Sequence, residues 1–151
     1  MKEDFSYGII PLMQKDGTWY TIMIKLSSGL HRWLPKGHPN EGETIIQTAL
    51  REISEETWLT IDPKNVDTTT LYEEHYEFFN YKKKSMISKT VWYYMAIIPY
   101  SDSSTLWGSS QEDGEILDKK VISIKDAIQL ATYDPTRTIL EKIHTKLENQ
   151  N

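Results

Sequence analysis

No cysteine occurs among the 151 residues, which excludes disulfides, thiolate catalysis and cysteine-ligated zinc. No long hydrophobic run occurs either. The longest, within "VWYYMAIIPY", falls far short of the roughly 20 apolar residues that span a bilayer. The opening "MKEDFSYGII" lacks the basic start and apolar stretch of a secretory signal. Net positive charge is also missing: the formal charge is −5, which argues against broad, non-specific nucleic-acid binding. The composition, 38% hydrophobic and 26% charged, is that of an ordinary globular chain. These absences lead us to expect one cytoplasmic domain over residues 1–151, with neither a membrane nor a stable nucleic-acid partner.

Local patterns supply the organisation. "YGIIPLM" and "WYTIMIKL" are β-rich runs joined by "QKDGT", whose Asp16-Gly17 pair predicts a hairpin. The Gly- and Pro-rich "SSGLHRWLPKGHPNEGE" reads as a loop. Ile45, Ile46, Ala49, Leu50 and Ile53 then recur at helical spacing, predicting an amphipathic helix over residues 44–57. "LYEEHYEFFNY" and "SKTVWYYMAII" predict two strands around a turn carrying Lys82, Lys83 and Lys84. A polar connection, "SDSSTLWGSSQEDGE", precedes a weak strand at "KKVISI" and helices at "KDAIQLA" and "TRTILEKIHTKLE". The chain reads as mixed α/β, with one helix inserted early among the strands.

The first helix carries the chemistry. Residues at i, i+3 and i+4 share a helix face, so Glu52, Glu55 and Glu56 project together. Such a face repels itself unless a cation intervenes. Mg²⁺ takes oxygen ligands and is commonly held by one or two carboxylates together with substrate phosphates. In the loop before the helix, Lys36 can meet a phosphate as a point charge.

The stretch from Gly37 to Leu59 resembles the Nudix box, G-x5-E-x7-R-E-U-x-E-E-x-G-U, where U is a bulky aliphatic residue. Gly37, Glu43, Arg51, Glu52, Ile53, Glu55, Glu56 and Leu59 fall on its specified positions, and Trp58 replaces the second glycine. The resemblance implies a Nudix α/β/α sandwich with a mixed β-sheet, a loop-helix-loop and a C-terminal helix. It also implies Mg²⁺ or Mn²⁺ as cofactor. Glu52, Glu55 and Glu56 become metal-binding carboxylates, the Gly37 carbonyl a further ligand, Arg51 their brace and Glu43 a structural residue near the helix start. At the helix exit, Trp58 either adopts a left-handed conformation, at about 1–2 kcal/mol, or leaves with negative φ and plugs an apolar gap.

Three further segments resemble the animal and archaeal type of asymmetrical diadenosine tetraphosphate hydrolase. "GLHRWLPKGHPNEGE" supplies His31, Lys36 and His38. "NYKKKSMISKTVWYYMA" supplies Tyr81 as a base-stacking ring and Lys89 as a phosphate-binding lysine. "AIQLATY" supplies Tyr133 as the second aromatic wall. A late acidic residue, Glu112 or Glu115, is the implied base or additional metal ligand, Glu115 being favoured by its position before "IKDA". The expected reaction is hydrolysis of a small dinucleoside polyphosphate, diadenosine tetraphosphate, to ATP and AMP by a monomer. The rivals are an RNA 5′-pyrophosphohydrolase, a diphosphoinositol polyphosphate phosphatase, another nucleoside polyphosphate pyrophosphatase, and a catalytically silent nucleotide-binding domain.

Overall fold

A computed structural model describes residues 1–26, 32–102 and 116–149. The hairpin forms as expected, from β1 (Lys2–Lys15) and β2 (Thr18–Leu26). Its connection places Asp16 and Gly17 at φ 52 and 81, the paired left-handed conformations of a tight two-residue turn. β3 (Arg32–Trp33) and β4 (Lys36–Gly37) follow, then α1 (Ile45–Thr57) and a single 3-10 turn at Pro63–Asn65. β5 (Val66–Asn80) and β6 (Ser85–Ile97) build a long second hairpin. β7 (Ile116–Ser123), α2 (Ile124–Leu130) and α3 (Asp134–Glu148) complete the described elements.

Among the described residues the sheet runs β3-β2-β1-β6-β5, with β4 paired to β1 and β7 to β2. β1 lies parallel to β6, while its pairings with β2 and β4 are antiparallel, so the sheet is mixed. Neighbouring residues of β1 serve opposite faces, as strand geometry requires. Ile9 packs with Ala49 and Ile53 of α1, whereas Ile10 and Leu12 pack with Ala127 of α2 and Leu140 and Ile143 of α3. A strand buried on both sides reads as a continuous apolar run, which explains "YGIIPLM". The α/β/α sandwich is thereby realised.

The helix starts one residue later than expected, because Thr44 serves as its cap. The Thr44 hydroxyl accepts from the Gln47 amide while the Gln47 side chain accepts from the Thr44 amide. The buried stripe uses Ala49 and Ile53 with Ile46 and Leu50 beside them, whereas Ile45 lies half-buried outside it. At the other end Trp58 takes φ 65, and its N–H donates to the Ser54 carbonyl at 2.8 Å. The residue is 59% exposed. The left-handed alternative therefore holds, and the apolar-plug alternative does not: the amide closes the helix with a bulky residue in the place glycine favours.

Candidate active site

β4 brings the loop, the sheet and α1 together. Lys36 pairs with Gly8 of β1 and Gly37 with Tyr7. Both glycines permit close approaches. A Cβ on Gly8 would lie 2.2 Å from the Pro35 carbonyl oxygen, and one on Gly37 would lie 2.0 Å from the Glu52 carboxyl carbon. With no side chain at Gly37, the Glu52 carboxylate rests directly against the loop backbone. The neighbouring Lys36 N–H donates to Glu56 Oε1 at 2.8 Å. Two residues of the acidic face are thus fixed against one turn of backbone.

Arg51 organises the remainder. Its Nε and Nη2 donate to both oxygens of Glu43 at 2.8 and 3.0 Å, and Nη2 also reaches the His38 carbonyl at 2.8 Å. Its Nη1 donates to Glu52 at 2.8 Å and to Glu55 at 3.2 Å. Glu43 accepts further bonds from the Asn40 amide and the Thr48 hydroxyl. The Arg51 bonds first, then that amide, hold its carboxyl down at about 2. Glu43 is therefore an anchor for Arg51 and for the loop, beyond any effect of the helix dipole.

Glu56 behaves in the opposite sense. Burial, then the Glu52 charge, pushes its carboxyl up to about 8, despite the Lys36 amide and ammonium. Burial also raises Glu52 against the pull of Arg51. Carboxylates whose charge is disfavoured by burial and by each other gain from a cation, so the donor set suits a hard divalent ion. Among the described residues no cluster of three or more histidines and carboxylates is gathered as a finished cage. Arg51 Nη1 lies between Glu52 and Glu55 and bonds an oxygen of each. A platform of Glu52 and Glu56 completed by substrate phosphates fits the ion better than an all-protein cage.

Beyond β4, on the α3 side of the sheet, lies a cleft lined by Asp4, Lys36, His38, Tyr76, Phe78 and Lys89, among others. Burial, reinforced by Lys89, lowers the Lys36 ammonium to about 8, with Glu74 and Glu56 opposing. Lys89 is 4% exposed. Its Nζ donates to Asp4 at 2.8 Å and to the Ser6 hydroxyl at 2.5 Å. His38 Nε2 lies 2.9 Å from Asp4 and 3.3 Å from Lys89 Nζ. Ionised Asp4 can only accept, so Nε2 carries the proton toward it and cannot also accept from Lys89. Burial raises the Asp4 carboxyl, but Lys89 and His38 outweigh this and leave it lowered. Lys89 is consequently held in one position by Asp4 and Ser6 at the wall of the cleft.

The aromatic pairing differs from expectation. Tyr133, the N-cap of α3, stacks on Tyr76, with centroids 5.2 Å apart and planes inclined by 5°. Tyr81 instead meets Phe79 edge-on at 4.8 Å and is 82% exposed. Phe79 pairs with Met86, one step out of phase with the cleft-lining Phe78, so it faces the other side of the hairpin. Tyr81 and Tyr133 are not opposing walls. Tyr76 was detectable from the period-2 series Tyr72, Glu74, Tyr76, Phe78. Behind it Glu74 is fully buried and accepts from the Thr136 hydroxyl, which ties β5 to α3. His31, Glu112 and Glu115 lie outside the described residues.

A NUDIX domain model matches residues 5–142. The chain belongs to the Nudix family. It is 30% identical over 141 residues to mouse (Mus musculus) bis(5′-nucleosyl)-tetraphosphatase [asymmetrical], covering 93% of this chain and 88% of that one. The Caenorhabditis elegans protein of the same name is 28% identical over 136 residues, covering 89% and 90%. The crystal structure of C. elegans Ap4A hydrolase superposes with a TM-score of 0.72 at 23% identity, over 95% of this chain and 97% of that one. This Nudix hydrolase thus resembles asymmetrical tetraphosphatases along nearly its whole length. Among its described residues no helix is long and apolar enough to cross a membrane.

Proposed function

We propose that this Nudix hydrolase cleaves diadenosine tetraphosphate asymmetrically, to ATP and AMP, with Mg²⁺ or Mn²⁺ held by Glu52 and Glu56. Glu55, the Gly37 carbonyl and Glu115 are the further candidates for the same ion. The carrying observation is one continuous set of groups: Glu56 on the Lys36 amide, Lys36 and Lys89 in the adjoining cleft, and the Tyr76–Tyr133 stack at its far side. The relatives' names agree with that chemistry.

When bound, the ion supplies charge neutralisation and an acidified water. The chain's own residues do the rest. Lys36 and Lys89 bind the phosphate chain, and Arg51 keeps Glu52 and Glu55 oriented. Glu56 would have to be ionised to hold the cation, and burial pushes its carboxyl up to about 8, so metal affinity should rise with pH. A purine packed on Tyr76 and Tyr133 gains about 1–3 kcal/mol of stacking. Residues 1–151 act as one cytoplasmic domain, working as a monomer without a nucleic-acid partner.

The test is a substrate panel. Purified protein with Mg²⁺ is offered dinucleoside polyphosphates, triphosphorylated and capped RNA, diphosphoinositol polyphosphates and 8-oxo-dGTP, and products are identified by chromatography. Preferred turnover of diadenosine tetraphosphate supports the reading. Preference for an RNA 5′ end replaces it with 5′-pyrophosphohydrolysis.

A further inference from the structure

The sheet face that carries the cleft also carries a charge beneath it. Residues paired across neighbouring strands point to the same side, and the register sets out three rows on this face. Lys36, Gly8, Tyr93 and Tyr72 form the first, Ser6, Val91 and Glu74 the second, and Asp4, Lys89 and Tyr76 the third. The row of Glu74 therefore runs between the rows of the two cleft lysines.

Those lysines are provided for differently. Lys89 is held by Asp4 and Ser6. Glu74 is fully buried, and the bond it accepts comes from the Thr136 hydroxyl, in the first turn of α3. Its Oε1 accepts no hydrogen bond among the described residues. Packing alone would be served as well by an apolar residue, because a buried carboxylate with an empty acceptor is costly. Burial does raise the Glu74 carboxyl, with Thr136, then Lys36 and Lys89, opposing. Among the described carboxylates that favour the Lys36 ammonium, Glu74 leads, ahead of Glu56 and Asp4, while Lys89 repels it. A flexible lysine stem beside a fixed like charge needs a fixed carboxylate to stay in the cleft. Without Glu74, the leading pull among these groups is Glu56, which draws the ammonium toward the acidic platform.

We infer that Glu74 is a positioning residue for phosphate binding: anchored to α3 through Thr136, its carboxylate holds the Lys36 ammonium in the cleft beside Lys89. This rests on the proposed reading insofar as Lys36 meets a phosphate. Thr136 belongs to the helical turn that Tyr133 caps, so the same carboxylate ties the lysine to the Tyr76–Tyr133 stack.

A double-mutant cycle tests this. Affinity for ATP with Mg²⁺ is measured by calorimetry for wild type, Glu74→Gln, Lys36→Met and the double variant, with Tm for each. Glu74→Gln keeps an acceptor for Thr136 and removes only the charge. It should weaken ATP about tenfold, within the coupling range of neighbouring groups, with Tm no lower than wild type. In the Lys36→Met background the same change should shift affinity by less than about twofold. Thr136→Val cuts the anchor and should also weaken ATP. Tighter ATP binding by Glu74→Gln, the result expected if its charge merely repels phosphate, overturns the inference. An unchanged affinity, an equal loss with and without Lys36, or a Thr136→Val protein that binds ATP like wild type does so too. If the wild type binds ATP but does not hydrolyse diadenosine tetraphosphate, the proposed reaction falls, and the cycle still decides the inference by the same criterion. If it binds no ATP, the inference and the phosphate-binding role of Lys36 fall together.

Discussion

Replacing Arg51 by alanine should damage stability and metal affinity together. The guanidinium joins Glu43, Glu52, Glu55 and the His38 carbonyl, so one truncation removes every link between the loop and the acidic face that runs through this side chain. Breaking a buried charge network by deleting one partner costs about 3–5 kcal/mol. Arg51 is 24% exposed, and Glu55 43%, so solvent screening brings the expectation toward about 2–3 kcal/mol. For a chain of this size that corresponds to a fall in Tm of roughly 5–10 °C. Glu52 and Glu55 would lose their orienting donor, which should weaken Mg²⁺ about 10–100-fold. Arg51→Lys restores the charge but cannot span three carboxylates from one point, so it should recover part of the stability and little of the affinity. Thermal unfolding with and without EDTA, followed by Mg²⁺ titration, measures both quantities. An Arg51→Ala protein with unchanged Tm and unchanged Mg²⁺ requirement would refute the brace.

Three other outcomes follow from the geometry. At Trp58, φ 65 reverses the usual helix preference: Trp58→Gly should be more stable than Trp58→Ala by about 1–2 kcal/mol in urea unfolding, and equal stabilities would contradict the left-handed exit. Without divalent cations, Glu56 has an ordinary carboxyl value of 4.5 when unfolded and about 8 when folded, so its contribution is full below pH 4.5 and is lost as pH rises toward 8. Lys36 shifts from 10.5 down to about 8, so the unfolded chain holds its proton more tightly and stability recovers between pH 8 and 10.5. Urea midpoints in EDTA should therefore pass through a minimum near pH 8, which Mg²⁺ makes shallower; a steady rise from pH 5 to 8 would count against this. Finally, Tyr76→Ala should raise KM for diadenosine tetraphosphate about tenfold or more while changing kcat far less. A loss confined to kcat would place Tyr76 outside base binding.

Most of the fold was legible because its periodicities are strong. The Asp16-Gly17 turn, the two-sided burial of β1 and the Ala49–Ile53 stripe each leave a local pattern that tertiary packing follows. The acidic face was legible for a similar reason, since helical spacing alone puts Glu52, Glu55 and Glu56 together. What remained hidden depends on pairing between distant segments. Asp4 acts on Lys89 only because β1 lies parallel to β6 with Asp4 opposite Lys89. Glu74 meets Thr136 only because α3 packs on β5. The choice of Tyr133's partner turned on strand phase, where a shift of one residue exchanges the two faces of the hairpin. Trp58 shows the limit from the other side: the sequence marked an irregular exit, and only the backbone decided between its two forms.

The most direct measurement of the central claim is product stoichiometry from diadenosine tetraphosphate. Wild type, wild type with excess EDTA, and Glu56→Gln are compared, with nucleotides resolved by anion-exchange chromatography. The account predicts ATP and AMP in equal amounts from wild type with Mg²⁺, and near-abolished turnover in both other samples while Glu56→Gln keeps its fold. Two molecules of ADP per substrate, or full activity in EDTA or in Glu56→Gln, would contradict it.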